Sequence, residues 1–119
     1  MGDLTKDFSR YEMACKCGCG ADDISIDLVE RLQSIRDIMG KPIHINSGVR
    51  CPHHNAKVGG SGESEHITGD AVDIQCEGSP LRYELLFLLM KKFNRIGIAK
   101  NFIHVGISKT KAQNVIWVY

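Results

Sequence analysis

Apolar residues recur at helical spacing across residues 25–39, where Leu28, Val29, Leu32, Ile35 and Ile38 fall on one stripe of a 3.6-residue repeat. The pattern predicts an amphipathic helix, with Ser25 as its N-cap and with Gly40 followed by Pro42 at its end. A second helix is predicted to start at Ser79-Pro80, a cap and a first-turn proline, and to run through Leu81, Leu85, Leu86, Leu88 and Leu89. So apolar a helix is expected at the centre of the core.

Short runs rich in Ile, Val and Phe at 43–47, 71–75, 96–99, 102–107 and 115–119 read as strands. Two helices with about five short strands predict an α+β domain, a small and mainly antiparallel sheet with helices packed on one face. Alternation within two of these runs separates core from chemistry. Val72 and Ile74 face inward while Ala71, Asp73 and Gln75 face the other way. Ile103, Val105 and Ile107 take the core side of their strand, which turns His104 outward. Asp73 and His104 are therefore expected on the exposed side of the sheet.

A chain of 119 residues is expected to make one compact monomeric domain, residues 1–119. Its 15 Lys and Arg balance 14 Asp and Glu, which argues against nucleic acid as a partner. The longest purely apolar run, residues 85–90, is far too short to span a bilayer, so no membrane insertion is expected. The acidic start, with Asp3 and Asp7, lacks the basic and then apolar pattern of a signal peptide, which leads to the expectation of synthesis in the cytoplasm.

Five cysteines cannot all pair within one chain. Cys15, Cys17 and Cys19 are clustered, Cys51 opens the segment Cys51-Pro52-His53-His54, and Cys76 ends a strand-like run. The cluster reads either as reduced thiols or, with Cys51 or His53, as a structural metal clip, although Cys-x-Cys-x-Cys is tighter than the usual knuckle spacing.

The chemistry concentrates in Ser64-Glu65-His66-Ile67-Thr68-Gly69-Asp70-Ala71-Val72-Asp73, just after the glycine-rich stretch 59–64. His66 leaves a loop, Gly69 permits a turn and Asp73 projects from the strand that follows. With His104 they make two imidazoles and one carboxylate, three protein ligands for Zn2+ with one position left open, the design of a catalytic site. His44, His53 and His54 have no ligand spacing and read as solvated or capping residues. Trp117 and Tyr119 read as closing the sheet, with stacking on a glycan as the alternative.

The gapless pattern Ser-x-His-x-x-Gly-x-Ala-x-Asp at 64–73, followed by Phe102-Ile103-His104-Val105, resembles the M15 zinc peptidases. These include D-Ala-D-Ala carboxypeptidases and L-Ala-D-Glu endopeptidases of bacterial cell walls and phage endolysins, which share a fold with the hedgehog signalling domain. The segments 47–55 and 8–20 are also similar to short members. The resemblance implies Zn2+ held by His66, Asp73 and His104, Arg50 gripping a substrate carboxylate or carbonyl, and Ser64 backing the site by hydrogen bonding. It also implies a peptidoglycan stem peptide as substrate and action at the bacterial cell wall after release.

One position departs from that pattern. Members usually place a general base a few residues before the third ligand, or read His-Val-Asp at it, whereas here the residues are Asn101 and Gly106. Neither takes up a proton. Glu63, Glu65 and Asp70 are the nearby acidic candidates, and a carboxylate introduced at 106 is expected to lie beside His104 and raise turnover. The alternative reading is a weak or inactive zinc-bearing domain with a binding or structural role.

Overall fold

A computed structural model describes residues 2–119. Its elements in chain order are α1 (Arg10–Met13), α2 (Ile26–Met39), β1 (Ile45–Ser47), α3 (Pro52–Lys57), β2 (Ala71–Gln75), α4 (Ser79–Leu89), β3 (Arg95–Ile98), β4 (Phe102–Gly106) and β5 (Val115–Val118). The five strands form one sheet in the order β1-β2-β4-β3-β5. All neighbours are antiparallel except β3 and β5, which run parallel. The α+β class and the mainly antiparallel sheet agree with the reading of the sequence.

The two long helices follow the apolar pattern. Helix α2 buries Leu28, Val29, Leu32 and Ile35, and its chain reverses at Gly40 in the left-handed conformation with φ 69°. Ile38, on the predicted stripe, is exposed at the far end of the helix. Ser25 occupies the N-cap position of α2, but its side chain makes no capping bond. In α4 the cap is Gly78 and Ser79 is already helical, with Leu85, Leu88 and Leu89 buried and Leu81 and Leu86 partly so. Each fully buried Leu contributes about 1.5–3 kcal/mol of hydrophobic stabilisation.

These leucines meet Val72, Ile74, Ile96, Ile103 and Val105 in a single core. The pairing places Val72 opposite Val105 and Ile74 opposite Ile103. The residues between them, Asp73 and His104, are also directly opposite one another and share the other face of the sheet. Register continues that row through Gly97 of β3 to Trp117 of β5. Two short helices, α1 and α3, lay outside the expected elements; one turn or two gives too little periodicity to register as a repeat.

Candidate metal centre and cleft

His66 is carried on the loop before β2. Its orientation is fixed by Nδ1, which donates to the carbonyl of Gly48 at 2.8 Å, so that Nε2 carries the lone pair. That nitrogen lies 3.2 Å from Asp73 Oδ1. His104 is held in the opposite sense. Its Nε2 donates to Glu65 Oε2 at 2.7 Å, and its Nδ1 lies 3.0 Å from the same Asp73 oxygen. The two imidazoles meet edge to face with centroids 5.0 Å apart.

The second oxygen of Asp73 is turned away. Oδ2 accepts from Arg50 Nη2 at 3.0 Å, while Arg50 Nε donates to Ser47 Oγ and Nη1 to Asn55 Oδ1. Each of the three guanidinium nitrogens is thus engaged within the protein. Arg50 orients Asp73, and part of its five-donor fork remains for the substrate group that the resemblance implies. Ser64 lines the cleft and accepts from the backbone N–H of His66 at 3.2 Å, bracing the loop that presents the imidazole.

Asp73 and His104 are 7% and 5% exposed, and His66 2%. The expectation of an exposed sheet face is corrected here, because the loop bearing Glu65 and His66 folds over that face. Gly69 makes this possible. It adopts φ 76°, and a Cβ there would overlap the carbonyl of Asp23, two residues before Ser25, which donates its N–H to the Gly69 oxygen.

Of the three acidic candidates, only Glu65 reaches the cluster. Glu63 is exposed, and Asp70 accepts from Thr68 Oγ1 outside the cleft. Asn101 is also exposed, in the turn between β3 and β4. Glu65 is 3% exposed; Oε1 accepts from the Ser108 N–H and Arg95 Nε, and Oε2 from Arg95 Nη2 and His104. Burial alone would raise its pKa, but the bonds from His104 and Arg95 outweigh it and hold the carboxyl down at about 2.

The carboxylate of Glu65 lies where a Cβ on Gly106 would be. A carboxylate at 106 would therefore collide with one already in place, and the expectation that it would raise turnover is corrected. Arg95, which the sequence reading missed, pairs with Glu65 at 3.1 Å and is 8% exposed. A signal existed, since Arg95 and Gly97 share the face opposite Ile96 in a short apolar strand.

Trp117 stands on β5, the strand at the edge of the sheet. Its indole lies over Gly97, where an added Cβ would come within 2.5 Å of Nε1, and its ring stands 5.3 Å from that of His104. Together with Tyr119 and Lys111 it walls a cleft of about 500 Å³ in front of His66, Asp73 and His104.

A family model described as Peptidase M15 matches residues 6–106, which include every residue of this centre up to Gly106. The chain belongs to the M15 peptidase family. No curated protein matches it significantly. M15 peptidases are zinc-dependent, and His66, Asp73 and His104 form a group able to hold a metal, their donor atoms all within 4.8 Å of one another. The donor chemistry fits a cation. In the neutral tautomers that Gly48 and Glu65 impose, two nitrogen lone pairs and a carboxylate oxygen converge on one point, an arrangement of acceptors only. The charges of Asp73 and Glu65 are meanwhile balanced by Arg50 and Arg95. Among the described residues of this M15 peptidase no helix is long and apolar enough to cross a membrane.

Proposed function

We propose that this chain is a zinc peptidase acting on peptidoglycan stem peptides at the bacterial cell wall, trimming a terminal D-Ala or cutting within the stem. The observation that carries the reading is the convergence of His66 Nε2, His104 Nδ1 and Asp73 Oδ1 at the back of a cleft. Zinc held there supplies Lewis acidity toward a substrate carbonyl and toward water. The protein residues divide the remaining work. Arg50 and Glu65 hold the ligands in their tautomers and orientations, Trp117 and Tyr119 present flat apolar walls, and Lys111 offers a cation for a peptide carboxylate.

A second reading, a zinc-bearing domain that binds stem peptides with little or no turnover, is favoured by the state of Glu65. Its two oxygens are saturated by Arg95, Ser108 and His104, and the only other carboxylate lining the cleft among the described residues is Asp73. A group so placed is a positioning residue for His104 rather than a proton acceptor. The test is mass spectrometry of purified muropeptides incubated with zinc-loaded protein, with a chelated sample as control. Release of D-Ala or of stem fragments supports the peptidase; muropeptide binding without release supports the second reading, and neither binding nor release overturns both.

A further inference from the structure

Away from the cleft, four thiols meet. Sγ of Cys15 lies 3.4 Å from Cys17 Sγ and 3.8 Å from Cys51 Sγ, and Cys17 and Cys51 are 3.7 Å apart. Cys19 completes the set, with all four sulfurs within 4.8 Å of one another. None of the four is disulfide-bonded. The edge of a tetrahedron of thiolates around zinc is about 3.8 Å, from a Zn–S bond of about 2.3 Å. The sulfurs of Cys15, Cys17 and Cys51 stand near the separation that a shared metal requires, with that of Cys19 inside 4.8 Å.

The backbone around them is built for the same end. Gly18 and Gly20 take φ 84° and 90°, which turns the chain sharply enough for alternate cysteines to converge on one side. The Gly18 N–H closes a turn on the Cys15 carbonyl, and the Cys15 N–H returns to Ala21. Two further N–H groups point at sulfur: that of Cys51 toward Cys15 Sγ and that of His54 toward Cys51 Sγ, both at 3.4 Å. Donors of this kind stabilise thiolates and orient metal ligands. His53, the other fourth ligand considered from sequence, is exposed and outside the group.

We propose that Cys15, Cys17, Cys19 and Cys51 bind a second, structural Zn2+. Four protein ligands close the coordination sphere, so this site supports structure and takes no substrate. It clips the segment after α1 to the head of α3, one residue from Arg50. The thiols give up their protons as the metal binds.

The test uses the whole protein, purified in the presence of a mild reductant. Elemental analysis is expected to find two zinc ions per chain. Replacing the two exposed ligands, Cys17→Ser with Cys19→Ser, removes one of them, whereas His66→Ala removes the other. Replacement of zinc by Co2+ gives strong sulfur-to-cobalt charge-transfer absorption in the parent and none in the Cys17/Cys19 variant. Should that variant fold poorly, the parent protein decides: Cys17 and Cys19, although exposed, resist alkylation until a chelator is added. Equal alkylation with and without chelator, a zinc content unaffected by the cysteine changes, or recovery of the thiols as disulfides in metal-free protein each overturns the proposal.

Discussion

Glu65 occupies the space that a side chain on Gly106 would need, and from there it accepts the Nε2 proton of His104. That carboxylate comes from the loop before β2, thirty-nine residues ahead of His104 in the chain. Gly106→Asp is accordingly expected to overpack the site, at a cost of about 1–3 kcal/mol and a melting temperature lower by several degrees. Combining it with Glu65→Ala should restore part of the loss. A single variant that melts like the parent would show that the two positions do not compete.

Because Glu65 fixes the tautomer of His104, Glu65→Gln is expected to weaken zinc binding at the cleft by about 10- to 100-fold while the far-ultraviolet circular dichroism stays unchanged. The amide can still accept from Nε2, but it loses the charge that Arg95 balances. Competition against a chromophoric chelator measures the affinity. Unchanged affinity would reduce Glu65 to a packing role.

His104→Ala should remove the cleft metal and leave the domain folded. The core side of β4 is carried by Ile103 and Val105, and each carboxylate freed from His104 keeps its own guanidinium, Asp73 with Arg50 and Glu65 with Arg95. Elemental analysis beside a thermal melt checks both halves. Zinc content equal to that of the parent would contradict the ligand set.

Trp117 is the single tryptophan of the chain, so its fluorescence reports on one wall of the cleft. Gly97→Ala is expected to push the indole off the sheet, shift its emission to longer wavelength and raise the KM for any stem peptide that is cleaved, with zinc content unchanged. An unaltered emission spectrum would mean that the ring reaches its place without the space Gly97 leaves.

Much of this architecture was legible in the residues. The helical stripe of Leu28, Val29, Leu32 and Ile35 and the alternation around Asp73 and His104 place α2, β2 and β4 within a residue or two, since both rest on short-range periodicity. The environment of the centre was not legible. Exposure of Asp73 depends on what the loop at 59–66 covers, and the partners of Glu65 lie thirty to forty-three residues away in Arg95, His104 and Ser108. Local patterns carry no record of such distant neighbours. The same applies to Arg50, for which the resemblance implies a grip on substrate and which the fold also engages with Ser47, Asn55 and Asp73.

The row that joins Asp73, His104, Gly97 and Trp117 across four strands has a consequence for how errors in folding would be felt. A slip of β4 by one residue against β2 would turn His104 into the core and Val105 toward the cleft, because side chains alternate strictly along a strand. The apolar residues interleaved with the row are what forbid that slip. Ile103 and Val105 touch no ligand, yet they act as the gauge that sets where the donors stand, and a polar substitution at either would misalign the centre without altering one of its residues.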